Sequence, residues 1–241
     1  MPTTLCFDFG NTRMKCGVFV DGEFLEEQIL ANDHEDTIRA LLDRYQPTRT
    51  ILSSVINHNP RMEELLRATT HFQQLDHHSK VPVTTPVGKP ETIGADRLAL
   101  VVAAVTLFPG KNNLVIGLGS AITYNYINKD KEFIGGGISP GMEMRFRSLH
   151  EYTAKLPLVK ADWNFPLAGY DTRTNILSGV ILGMAREIDG IIASYQEKYD
   201  NFNVLMSGGD SAYFTRHLKS KIFADPHLIY KGLYAISEFN L

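Results

Sequence analysis

Shifting the 241-residue sequence by 109 positions lays Gly10 on Gly119, Asp21 on Asp130 and Phe24 on Phe133. Each half opens with the same succession: an apolar run, a glycine-centred turn, a second apolar run and a second turn. A repeat of this kind constrains architecture more than any single element, because two copies of one supersecondary unit bury their apolar faces in related ways. It predicts two βββα-type halves whose glycine turns face each other across a cleft. Chance similarity between two hairpins is the competing explanation, since few positions match.

The remaining pattern alternates strands with helices. LCFDF (5–9) and CGVFV (16–20) read as strands about Gly10-Asn11-Thr12, with Asp21-Gly22 as the next turn. Ile38, Leu41, Leu42 and Tyr45 give one apolar face to a helix over 36–45. TILSSVI (50–56) reads as a strand, and 61–70 as a helix with Met62, Leu65 and Leu66 inward. VPVTTPVGKP (81–90) is extended by its prolines. A helix runs from Asp96 through Leu98, Val101, Val102 and Val105 until Pro109-Gly110 stops it. NLVIGLGSAITYNYI (113–127) is strand, turn and strand. GGGISPGM (135–142) reads as a glycine-rich connector before a further helical span. A long helix over 174–199 and a strand in NVLMSGGDS (203–211) follow. The fold class is therefore α/β, with an N-terminal lobe over 1–112 and a C-terminal lobe over 113–241.

Hydrophobic residues make up 44% and charged ones 21%, which suits a globular chain with a substantial core. A net charge of −3 gives no reason to expect nucleic acid or an anionic membrane as partner. The start of the sequence lacks a basic segment leading into an apolar one, so a cytoplasmic protein is expected. Cys6 and Cys16 flank the opening turn and read as small core residues of a reducing compartment.

FDFGNTRMK (7–15) carries the first chemical signal. A turn needs Gly10 and Asn11, but it does not need Asp8 inside the strand before it. Turn N–H groups flanked by hydroxyls make an anion cradle. Asn11, Thr12 and Lys15 surround the first turn, Ser120 and Thr123 the second. A carboxylate beside a phosphate cradle is repulsive unless a cation such as Mg²⁺ joins them. The bland alternative is an aspartate capping its own turn. His71, His77 and His78 lack a partner pattern for metal and read as solvated loop histidines. Arg145 and Arg147 read as phosphate contacts or as a solvated helix face, and Trp163 as packing under a loop.

DFGNTRMK resembles the first phosphate motif of the superfamily that holds acetate kinases, sugar kinases and actin. Together with GADR (94–97), GSAIT (119–123), GGGISPGMEMRFRSLHEYTAKLP (135–157) and SGGDS (207–211), it is similar to the type III pantothenate kinases, from Asp8 to about Asp210. The resemblance implies a duplicated actin-like, ribonuclease H-like fold with two lobes and a cleft. It implies a homodimer that phosphorylates pantothenate with ATP and Mg²⁺ in coenzyme A biosynthesis, aided by K⁺ or NH₄⁺. A degenerate regulatory homologue that binds nucleotide or pantothenate is the alternative.

Carried onto this sequence, the resemblance gives Asp8, Phe9, Gly10, Asn11, Thr12, Arg13, Met14 and Lys15 to the ATP phosphates, with Asp8 near the metal. Ser120 stands where the family has a threonine touching ATP. Gly94, Ala95, Asp96 and Arg97 form the pantothenate wall, and Asp96 is the general base. Thr174 matches a pantothenate contact, and Gly208 and Gly209 lie near the adenosine. Arg97 is suited to clamp the substrate carboxylate. The start of a helix at Asp96 is expected to lower its pKa. One departure matters: Gly117 and Asn125 stand where the family has aspartates, and the position of Gly117 is one expected to help hold the monovalent cation.

Overall fold

The computed structural model describes residues 2–86 and 88–240. Val87, in the stretch read as extended, lies outside the described residues. The first repeat comprises β1 (Thr3–Phe9), β2 (Met14–Val20), β3 (Glu23–Leu30) and α1 (Glu35–Tyr45). β4 (Arg49–Ser54), α2 (Pro60–Thr69), β5 (His71–Gln74) and α3 (Ala95–Leu107) follow. The second repeat begins with β6 (Asn112–Leu118), β7 (Ala121–Ile127), β8 (Phe133–Pro140) and α4 (Met142–Glu151). It continues through α5 (Thr172–Lys198), β9 (Phe202–Ser207), α6 (Ser211–Phe214) and β10 (Phe223–Ala224) to α7 (Leu228–Phe239).

Each half forms a five-stranded sheet, and the two strand orders are β3-β2-β1-β4-β5 and β8-β7-β6-β9-β10. The orders correspond strand for strand, as a duplication requires. In both, the central strand pairs in parallel with the strand that follows the helical segment. The chain divides into two compact units. One contains the chain up to Gly110, Ile127–Ile134 and the segment from His227; the other contains Lys111–Tyr126 and Gly135–Pro226.

Side-chain alternation along β1 decides what the first sheet can do. Leu5, Phe7 and Phe9 enter one core with Ile38, Leu41 and Leu42 of α1 and Met62, Leu65 and Leu66 of α2. α2 starts cleanly because the Asn59 side chain accepts from the Arg61 N–H at 3.1 Å and Pro60 needs no hydrogen bond there. Thr4, Cys6 and Asp8 project from the opposite face, over which α7 packs; α3 in turn packs against α7. Cys6 lies across from Gly17 and Cys16 across from Phe7, so the two thiols are on opposite faces, buried and free.

Three segments differ from the sequence expectation. GGGISP belongs to β8 rather than to a connector, and Gly135 and Gly136 adopt φ of 121° and 159° within it. His71 lies in β5, a short edge strand completed by pairing to β4, not in a solvated loop. α7 had no expected counterpart; it buries Leu228, Tyr230, Leu233 and Ile236.

Candidate active site

The register of the first sheet assembles a polar row. Lys15 lies opposite Asp8 across the antiparallel β1–β2 pair, and Ser53 lies beside Asp8 across the parallel β1–β4 pair. Residues in register share a face, so Lys15, Asp8 and Ser53 stand side by side. The turn joining β1 to β2 exposes Asn11, Thr12 and Arg13, and is closed by the Gly10 N–H donating to the Arg13 carbonyl at 3.1 Å.

Lys15 is held from the next row. Its Nζ lies 3.2 Å from Glu27 Oε2, and the Tyr230 hydroxyl donates to the same oxygen at 2.8 Å. The Tyr230 side chain occupies space that only glycine leaves at position 17, where a Cβ would meet its ring carbons at 2.5 and 2.7 Å and its Cβ at 2.9 Å. Burial raises the Glu27 pKa, but the Tyr230 hydroxyl and Lys15 outweigh it and hold the carboxyl below its usual value. Asp8 goes the other way. Burial first, then the negative charge of Asp96, pushes it from 3.8 to about 7 despite Lys15. Ser53 is fully buried, and its Oγ has no hydrogen-bond partner among the described residues.

Asp96 occupies the first turn of α3, behind Gly94 at the N-cap. Its carboxylate receives the backbone N–H groups of Arg97 and of its own residue, and these lower its pKa. Burial is the larger influence, and the net shift is upward. The expected lowering by the helix start is thus overturned, because half-buried surroundings penalise the charge more than two N–H dipoles reward it. The Arg97 guanidinium lies 5.5 Å from the centre of the Phe133 ring, which fixes its direction by cation–π attraction.

In the second unit the Gly119–Ser120 turn is closed by the Gly119 N–H donating to the Ala121 carbonyl at 3.0 Å. The Gly141 N–H donates to the Ser120 carbonyl at 3.1 Å, tying the start of α4 to this turn. Gly208, at φ 115°, lies so close to the Leu118 carbonyl that a Cβ would overlap it. The Thr174 hydroxyl is engaged in a capping box: it donates to Asp171 Oδ1 at 2.7 Å and accepts from the Asp171 N–H at 3.2 Å. Asn125 is fully buried, and its amide donates to the Val115 carbonyl and to Thr123 Oγ1, each at 3.1 Å. Arg145 pairs with Glu187 and Ser139, and Arg147 with Glu143. Trp163 stacks on Tyr213 at 4.9 Å.

The donors on the first sheet suit a hard divalent cation. Among the described residues no cluster of three or more His, Cys, Asp or Glu is placed to hold a metal. Mg²⁺ asks for less: one or two carboxylates, with phosphate and water oxygens completing its shell. Asp8 would supply the carboxylate, and the Ser53 hydroxyl, unpaired among the described residues, lies beside it in register. Glu27, Tyr230 and Ser53 escaped the sequence reading, because cross-strand register and a distant helix bring them in.

The sequence matches the family described as Type III pantothenate kinase over residues 4–194. The chain belongs to the type III pantothenate kinase family. A type III pantothenate kinase from Christiangramia forsetii is 41% identical over 238 residues, covering 98% of each chain. Among solved structures, a Campylobacter jejuni protein named for the Baf family of transcriptional activators superposes with TM-score 0.63 at 20% identity, over 98% of both chains. The inorganic polyphosphate/ATP-glucomannokinase of an Arthrobacter strain gives TM-score 0.52 at 14% identity, over 99% of this chain and 97% of the other. At such identities the structures establish fold alone, a duplicated two-lobed α/β fold.

Proposed function

We propose that this protein transfers the γ-phosphoryl group of ATP to the primary hydroxyl of pantothenate, releasing ADP and 4'-phosphopantothenate, the first step of coenzyme A biosynthesis. One observation carries the assignment of roles: Asp8 and Asp96, from separate motifs, lie close enough that the charge of one raises the pKa of the other. Two carboxylates in one site divide naturally into a cation holder and a proton acceptor.

Phosphoryl transfer is chiefly a matter of positioning and charge neutralisation. Asp96 takes the proton of the attacking hydroxyl, and its raised pKa makes it a stronger base than a surface aspartate. The loop from Phe9 to Met14 offers backbone N–H groups to the phosphates, and Lys15 offers its ammonium, held in direction by Glu27. Ser120 serves the nucleotide from the second turn. Asp8 would hold Mg²⁺, which would supply charge neutralisation to the phosphates. Gly94 and Ala95 form the wall against which pantothenate rests, Arg97 pairs with the substrate carboxylate, and Thr174 is a further pantothenate contact.

A homodimer fits the exposed apolar side chains of the second unit, where Ile138 on edge strand β8 is 67% exposed and Leu167 and Tyr170 are more so. ATP as donor fits a cytoplasmic setting, and among the described residues no helix is long and apolar enough to cross a membrane. The reading is tested by ADP release from ATP and Mg²⁺ with pantothenate and a panel of sugars. Turnover restricted to pantothenate is expected; equal turnover with a hexose would contradict it.

Two further outcomes are expected. Lys15→Met lowers kcat/KM for ATP by about 10²-fold, in line with loss of a charge-assisted contact to the reacting group, and Glu27→Gln by about 10-fold. If Glu27 acts through Lys15, Glu27→Gln has less than a twofold effect once Lys15 is Met, whereas independent roles would multiply. The second concerns K⁺. Glycine at position 117 brings no side-chain oxygen, and the Asn125 amide is committed to Val115 and Thr123. A monovalent cation there is left with carbonyls, hydroxyls and water in place of a carboxylate. Activation of the wild type by K⁺, titrated at constant ionic strength, is therefore expected to be absent or far from saturation, and Gly117→Asp to introduce saturable dependence. Tight, saturable activation of the wild type would refute the lost-ligand account.

A further inference from the structure

The buried hydroxyl of Ser53 has no place in the mechanism above, yet the fold has put it in a costly position. An unpaired hydroxyl taken out of water loses its hydration without replacement, and Ser53 Oγ is in that state within the described structure. Its surroundings identify the missing partner. Ser53 is in direct register with Asp8 on the neighbouring parallel strand, and on the same face of the sheet. Ile51, two residues earlier on that face, is in register with Cys6 and is apolar and fully buried. The serine is therefore the polar group that this face of β4, which also carries Arg49 and Ile51, places at the level of the carboxylate. Ser54, by contrast, points the other way and is satisfied by the Ile56 carbonyl at 3.0 Å and His58 Nδ1 at 3.0 Å.

We propose that Ser53 is a positioning residue for Asp8 in the nucleotide-loaded site: its hydroxyl donates to the Asp8 carboxylate once that carboxylate turns to hold the cation. A carboxylate that gives one oxygen to a metal keeps the other for a hydrogen bond, and such outer partners fix its direction. The inference rests on the proposed function, since it assigns Asp8 to a cation. The buried hydroxyl that lacks a partner is the donor such an arrangement requires.

The test uses thermal unfolding of the full-length protein alone, and with the non-hydrolysable ATP analogue AMP-PNP over a Mg²⁺ titration. Ser53→Ala removes an unpaired polar atom from the ligand-free protein, so its Tm is expected to rise, by about 2–6 °C. The Mg²⁺ concentration that gives half of the AMP-PNP-induced shift is expected to rise about tenfold, the usual cost of losing an outer hydrogen bond to a metal ligand. Ser53→Cys, nearly isosteric and a weak donor, is expected to fall between the two. A hydroxyl that serves only the ligand-free fold predicts the reverse. A Tm of ligand-free Ser53→Ala below wild type, or Mg²⁺ half-saturation within twofold of wild type, would overturn the assignment of Ser53 alone. A wild type with no Mg²⁺-dependent shift would contradict the proposed function, and the role of Ser53 with it.

Discussion

Asp96→Asn is expected to lower kcat by about 10²–10⁴-fold while leaving the affinity for ATP nearly unchanged. The amide keeps the size of the side chain and its place in the first turn of α3, and Asn accepts the backbone N–H groups that Asp96 accepts. What it loses is the ability to take a proton. Two influences act on that ability in opposite senses. The helix N–H groups and Arg97 stabilise the carboxylate and weaken it as a base, whereas burial strengthens it and prevails. The pH profile of kcat/KM should accordingly show an acid limb displaced upward from the ordinary aspartate range, and that limb should vanish from the residual activity of the variant. A variant retaining more than half of wild-type turnover would remove Asp96 from the chemistry.

Asp8→Asn is expected to have opposite effects on the ligand-free and nucleotide-bound protein. In the ligand-free fold Asp8 titrates at about 7 instead of 3.8. A carboxyl whose folded pKa is raised gives up its proton more readily in the unfolded chain. The stability associated with it is therefore complete below about pH 4, declines as pH rises toward 7, and is absent above. A displacement of about three pKa units corresponds to about 4 kcal/mol. Asparagine cannot ionise, so the variant is expected to unfold at a higher temperature than wild type at pH 8, by several degrees, and with little difference near pH 4. Calorimetric titration should show the reverse for function: Mg²⁺-dependent ATP binding weakens by at least about tenfold, and pantothenate binding changes little. Equal loss of both ligands would mark Asp8 as a turn residue. A variant less stable than wild type at pH 8 would contradict its burial as a charge.

Much of this was legible in the sequence for identifiable reasons. The pairing of Gly10 with Gly119 anticipated two sheets of the same strand order, because turn glycines mark where consecutive strands reverse. Asp8 stood out because a carboxylate in an apolar strand is anomalous by itself. β8 did not stand out: consecutive glycines suggest a loop, and the chain is held extended there only by pairing with β7. His71 lies in a strand for a similar reason, since β5 is short and takes its form from β4. Ser53 and Glu27 could not be found, because their meaning depends on which residue lies across the neighbouring strand. Tyr230 reaches the site from a helix at the far end of the sequence. The direction of the Asp96 shift was missed because a helix start is visible in sequence and burial depth is not.

The central claim is that this chain phosphorylates the primary hydroxyl of pantothenate. Phosphorus NMR of a reaction containing the pure protein, ATP, Mg²⁺ and pantothenate tests it most directly. The account predicts a new phosphomonoester resonance, coupled to the protons of the primary carbinol, growing in step with ADP and absent with Asp96→Asn. ATP consumption that yields only inorganic phosphate, or no consumption while both ligands bind, would contradict it.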